Sequence, residues 1–224
     1  MLLVCIVCVD ARADVVPAIN PVATFHTPDG DDTGLSYTGS APLTVTLSAG
    51  AADVGAYAAH YEWRFRKEGA QSPYLTRYDE DTEYTFVEAG THIIELYATF
   101  VLGTDTVAYT AEYWADATPI TVSIAESKLE MPNAFSPNGD GVNDIYKAKE
   151  NHKSIVEFHA YIFNRWGQKI YDWTDINGGW DGTWNGKDVK DGTYYVLVKA
   201  KGADGINYEI KKDVNVLRKY LLEQ

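Results

Sequence analysis

The densest group of oxygen-bearing side chains lies in the run Asn138-Gly139-Asp140-Gly141-Val142-Asn143-Asp144. Asn138, Asp140, the Val142 carbonyl and Asp144 stand at alternate positions around glycines. Ca2+ is a hard cation that takes six or more oxygen ligands, and this spacing is the first half of a calcium loop. Counted from Asn138, the twelfth position, where an EF-hand has its closing acid, is Lys149, and Glu150 stands one residue beyond it. Gly141, however, stands fourth where that loop wants its glycine sixth, and no helical period follows. The same residue types also close Asx turns, in which a side-chain oxygen accepts a backbone N–H two residues on. A calcium loop and a hydrogen-bonded turn loop are both open readings of this segment.

Elsewhere the catalytic vocabulary is thin. Asp79-Glu80-Asp81 and Glu83 offer carboxylates, but a glycosidase needs two acids facing each other across a cleft, about 5–10 Å apart. Four acids in one turn read as a solvated loop. His26, His60 and His92 are scattered without the spacing of metal ligands. No glycine-rich phosphate loop and no nucleophile elbow occurs. The expectation is a protein that is not an enzyme.

The elements that hold these residues are predicted to be strands. The chain of 224 residues contains 16 Tyr and 6 Trp, which favour pleated, half-buried surfaces. Short alternating runs are punctuated by Gly, Pro, Asn and Asp. In the first half they are Leu43–Leu47, His60–Arg66, Glu83–Val87, Thr91–Val101, Thr106–Tyr113 and Ile120–Ala125. Around Ile93 to Tyr97 both faces carry apolar side chains, which predicts a central strand. In the second half the runs are Ser154–Asn164, Gln168–Trp173, Gly192–Lys201 and Asn207–Arg218. Turns at this spacing predict an all-β chain of two tandem Ig-like β-sandwich domains. The expected limits are 14–126 and 131–220. Trp63 is expected between two sheets, and Trp166, Trp180 and Trp184 are expected to pack in core or turns.

Charge separates the halves. Residues 1–130 carry 19 acidic and 6 basic side chains, and residues 131–224 carry 13 of each, so the whole net charge of −13 lies in the first part. An acidic surface repels nucleic acid, so none is expected as a partner. Cys5 and Cys8 both sit in the apolar opening, and Ala11-Arg12-Ala13 follows. That order resembles the hydrophobic region and A-x-A site of a secretory signal peptide over residues 1–13. It is too short to span a bilayer, which takes about 20 residues. A basic leader is missing, so the expected signal starts further upstream.

Four motifs in order carry a resemblance. The first is Pro132-Asn133-Ala134-Phe135-Ser136-Pro137-Asn138-Gly139-Asp140-Gly141-Val142-Asn143-Asp144. Then come Tyr161-Ile162-Phe163-Asn164-Arg165-Trp166-Gly167, Trp180-Asp181-Gly182-Thr183, and Asp191-Gly192-Thr193-Tyr194-Tyr195. Together they resemble the gliding-motility-associated C-terminal domain, the type B sorting domain of the type IX secretion system in Bacteroidetes. Val214–Arg218 sits at the closing strand of that family, near whose arginine most members end; here Lys219–Gln224 continue. The resemblance implies a secreted or outer-surface protein whose partner is the type IX machinery. It implies sorting-signal residues at Pro132, Asn133, Phe135, Ser136, Pro137, Asn138, Gly139, Asp140, Gly141, Asn143, Asp144, Asn164, Arg165, Trp166, Gly167, Trp180, Asp181, Gly182, Gly192, Thr193 and Tyr194.

Residues 20–125 resemble more loosely a PKD-type or other Ig-like module, on Tyr61-Glu62-Trp63-Arg64-Phe65, Tyr84-Thr85-Phe86 and Ala89–Leu96. The usual G-D-G turn is replaced by Arg66-Lys67-Glu68-Gly69. Such a domain implies a spacer, an adhesin stalk, or a module that binds a surface glycan or protein. Tyr74, Tyr78, Tyr109, Tyr113 and Trp114 are the candidate rings for stacking on sugar.

Overall fold

The computed structural model describes residues 16–218. The signal-like opening with its two cysteines and the stretch 219–224 lie outside the described residues. The first half runs through β1 (Val22–Thr27), β2 (Gly30–Gly34), β3 (Ser36–Gly39), β4 (Leu43–Ser48), β5 (Ala58–Lys67), β6 (Leu75–Arg77), β7 (Asp81–Phe86), β8 (Gly90–Leu102), β9 (Asp105–Tyr109), α1 (Ala111–Asp116) and β10 (Ile120–Ile124). One sheet has the order β2-β1-β4-β7, the other β3-β10-β8-β5-β6, with β9 also paired to β8. Alternation explains the sandwich. Leu43, Val45 and Leu47 point inward from β4, and Ile94, Leu96 and Phe100 do so from β8. Trp63 is fully buried between the sheets, and its indole N–H donates to the Glu80 carbonyl at 3.2 Å.

One predicted strand is shorter than expected. Thr106–Tyr113 is extended only to Tyr109, and Ala111–Asp116 is a helical turn. The cause lies in β8. That strand pairs with β10 from Gly90 to Ile94 and with β9 from Ala98 to Leu102. The chain must cross from one partner position to the other, and α1 makes the crossing. The Leu96 carbonyl falls in the gap between the two ladders and takes the Trp114 indole N–H at 2.9 Å. Tyr109 and Tyr113 pack edge-on beside it.

The second half runs through β11 (Ala134–Phe135), β12 (Ile155–Phe163), β13 (Lys169–Trp173), β14 (Thr183–Trp184), β15 (Lys187–Asp188), β16 (Gly192–Gly202) and β17 (Asn207–Val216). A single sheet, β11-β17-β16-β12-β13, buries Ala160, Ile162, Val196, Val198, Val214 and Val216. Its second layer is made of loops and the small β14–β15 hairpin. Tyr146 and Trp180 plug that layer, both fully buried, and their backbones exchange two hydrogen bonds at 2.8 and 3.0 Å. Glycine, Asn and Asp are too frequent there for long strands, so large rings supply the burial that a second sheet supplies in the first domain.

The two hydrophobic cores change over between Ile124 and Leu129. At that junction Ala89 N–H donates to the Ala203 carbonyl at 2.9 Å, and Ala41 N–H to Ser154 Oγ at 3.1 Å. Ser127, in the connector, gives its N–H and its hydroxyl to the Asp204 carboxylate at 2.8 Å.

Candidate functional site: the far pole of the second domain

Strand direction sorts the second domain into two ends. Near the first domain, Ile155 pairs with Gly202 and Lys201 with Asn207. At the other end, Phe163 pairs with Tyr195 and Gly192 with Val216. All four sequence motifs fall at this far end, with Arg218 beside them.

The loop 138–144 is built around Asp144. Its Oδ1 accepts the N–H groups of Asn138 and Gly139 at 2.9 and 2.7 Å, and its Oδ2 that of Gly141 at 2.7 Å. Gly139 and Gly141 both have positive φ, which turns their amides inward. The Gly139 and Gly141 amides, ahead of Asn138, hold the Asp144 carboxyl below its ordinary value of 3.8. Asp140 Oδ1 accepts Val142 N–H, and Asn138 Oδ1 accepts Asp140 N–H. The Val142 carbonyl accepts the Ser136 hydroxyl at 3.3 Å. Glu150 pairs instead with Lys147 at 3.4 Å. The loop is thus closed by its own hydrogen bonds, as in the turn reading. A calcium ion held by Asn138, Asp140, Val142 and Asp144 needs these same oxygens.

Pro137, Gly182 and Arg218 meet in a second cluster. Arg218 is 16% exposed in its side chain. Its guanidinium donates to the Gly182 carbonyl at 2.6 Å and to the Val189 carbonyl, and faces Asp188 at 3.3 Å and Asp191 at 3.9 Å. A Cβ on Gly182 would lie 2.8 Å from Arg218 Nη2 and 2.9 Å from Pro137 Cγ, and its φ is +78°. Glycine at 182 is therefore a packing requirement. Asp181 caps the same turn by accepting Thr183 N–H at 2.9 Å, as its position in a tight turn predicts. Trp180 gives its indole N–H to the Thr183 carbonyl.

The third cluster is the turn between β12 and β13. Asn164, 6% exposed, accepts Trp166 N–H at 3.0 Å and Gln168 N–H at 3.1 Å on one side-chain oxygen. Gly167 N–H closes the turn on the Asn164 carbonyl, with φ +77°. This frame projects Arg165 and Trp166 outward. Trp166 is 76% exposed, so the expected core or turn packing holds for Trp180 and not for Trp166. The Arg165 guanidinium lies 4.5 Å from the Trp166 ring. Thr193 pairs its hydroxyl with Asn215, and Tyr194 packs against Trp180. Phe135 packs on Tyr146 and Trp180. The Asn133 side chain takes an N–H from Lys212, and Ser136 N–H donates to the Asn143 carbonyl.

The comparison with known families fits the second domain. Residues 129–212 match the model of the CHU_C Type IX secretion signal domain. The second domain belongs to that family. No curated protein matches the chain. The protein is therefore a secreted one, sorted by the type IX machinery to the exterior or the outer surface of the cell. The first domain, outside the matched residues, is β-sandwich in form. In the second domain and its connector, sequence reasoning missed Arg218, Tyr146 and the Ser127–Asp204 pair as organising residues. Only the family's closing arginine pointed to the first of them.

The sugar-stacking candidates of the first domain divide. Tyr109, Tyr113 and Trp114 are half-buried against its core. Tyr74 gives a hydrogen bond to or takes one from His92 at 2.7 Å. Tyr78 is exposed, beside His60. Asp79, Glu80, Asp81 and Glu83 are exposed, and Asp81 accepts Ala49 N–H. Among the described residues no group of three or more His, Cys, Asp or Glu gathers as a metal set.

Proposed function

We propose that this is a non-enzymatic surface protein in which the machinery reads the far pole of the signal domain, and the first sandwich travels outside as a binding or spacer domain. The observation that carries this reading is the placement of all four motifs at the end farthest from the first domain. A cargo seated at the near end leaves that pole clear for a receptor. Asp79, Glu80, Asp81 and Glu83 of the first domain are all exposed, as in a solvated loop, which supports a binding or spacing role over catalysis. Its acidic surface disfavours nucleic acid as a partner. Removing residues 131–224 should trap the protein inside the outer membrane, as followed by cell fractionation. Recovery of the truncated chain in the medium would sink the reading. Between spacer and glycan module the packing of Tyr109, Tyr113 and Trp114 favours the spacer. A glycan array on the full chain decides it, with Tyr78→Ala as the control for any hit.

A further inference from the structure

Several motif residues at the far pole are spent on the fold. Asp144 is spent on backbone amides, Trp180 is fully buried, and Gly182 is filled against by Arg218 and Pro137. Their types are demanded by the fold. Arg165 and Trp166 are different. A buried Asn164 and a positive-φ Gly167 hold their turn, yet both side chains stand in solvent. No carboxylate among the described residues pairs with Arg165, whose contact is the Trp166 ring. Exposing an indole this fully forgoes the burial that dominates aromatic energetics. A rigid frame that fixes an exposed Trp and an unpaired Arg side by side has the composition of a binding hot spot. Little rotamer freedom is left to lose on docking, since the guanidinium is already stacked.

Resting on the sorting reading above, we propose that Arg165 and Trp166 form the anchoring knob of the signal domain. Its partner is a protein surface with an apolar slot for the indole and a carboxylate at the mouth for the guanidinium. Charge complementarity selects this partner. The guanidinium lacks an acid of its own, since Asp188 and Asp191 at the same pole face Arg218, so a partner's carboxylate is the charge it is free to take. A membrane fits less well, because the pole's Lys187 and Lys190 alternate with Asp181, Asp188 and Asp191 rather than forming the basic cluster that anionic headgroups select.

The test uses the full chain, expressed behind a working secretion signal in a bacterium that has the type IX machinery. Trp166→Ala and Arg165→Glu should keep the wild-type melting temperature, because neither side chain is buried. Both should lower the exported fraction tenfold or more, with folded protein accumulating in the periplasm. Arg165→Lys keeps charge but loses the planar stack, so it should fall between. Wild-type export of Trp166→Ala and Arg165→Glu overturns the knob. If the 131–224 deletion is still retained in that case, the sorting reading stands and only the knob fails. Sedimentation with vesicles of neutral and anionic phospholipid adds a second arm. Trp166-dependent binding to them would replace the protein slot by a membrane and overturn the proposal, whereas wild-type and Trp166→Ala chains that both stay in the supernatant support it.

Discussion

Removing the Arg218 guanidinium leaves the Gly182 and Val189 carbonyls without their donor in a mostly buried place. Hydrogen bonds to a charged group contribute about 1.5–3 kcal/mol each, with part recovered by water. Arg218→Ala should therefore lower stability by about 2–4 kcal/mol in urea denaturation. Arg218→Lys should recover only part of it, because one ammonium cannot span both carbonyls as a planar fork does. Asp144 is legible in a pH titration. Its folded carboxyl is depressed below 3.8, so its stabilisation is present above that value and is lost as pH falls through the lower folded value. Asp144→Asn should be less stable at neutral pH and lose less between pH 5 and 2. As a hydrogen-bonded turn loop, residues 138–144 should show no change of melting temperature in excess Ca2+; a rise abolished by Asp144→Asn would support the calcium reading.

At the level of elements, the buried polar residues are informative because each sets a position. Among the described residues they are His92, Ser154 and Asn164. His92 lies on β8, 2% exposed. Its Nδ1 meets the Tyr74 hydroxyl at 2.7 Å, and its Nε2 lies 3.0 Å from the Glu88 carbonyl and 3.1 Å from Lys67 Nζ. Burial, with Lys67 nearby, pushes its pKa below 6.5. The unfolded chain then binds more protons below 6.5 than the folded one, so His92 favours folding above 6.5 and opposes it as pH falls. Thermal melts of the wild type should drop from pH 7.5 to 5, and His92→Gln should flatten that slope. Thr91–Val101 could be read as a central strand from its two apolar faces. The α1 crossing could not, because it answers a gap in the partner strands and no local propensity encodes that.

For the whole molecule, the Asp204 carboxylate decides how the domains are joined. Burial alone would raise its pKa, but the N–H and hydroxyl of Ser127 hold it down. Ser127 also meets the Tyr208 hydroxyl at 2.8 Å. The connector is thus fastened to the near end of the signal domain, which keeps the far pole pointing away. Asp204→Ala should release the joint without unfolding either core. Limited proteolysis should then cut within residues 125–130 faster, and small-angle scattering should show a larger radius of gyration. An unchanged cleavage rate would mean that the Ala89–Ala203 and Ala41–Ser154 bonds suffice.

The sequence by itself determined the strands, the turns and the family. Period-two alternation and glycine, asparagine and aspartate punctuation are local properties, and four ordered motifs are readable without coordinates. It also placed Trp63 between the sheets. What it did not determine is which motif residues face in and which face out. Trp166 and Trp180 each stand beside a turn glycine, so their local grammar is nearly the same. Trp180 is buried because Tyr146, far away in sequence, pairs with its backbone and closes the loop layer over it. Trp166 is exposed because the buried Asn164 turns the chain before the indole can reach a sheet. The difference rests on contacts between distant segments, and only the tertiary structure decides those.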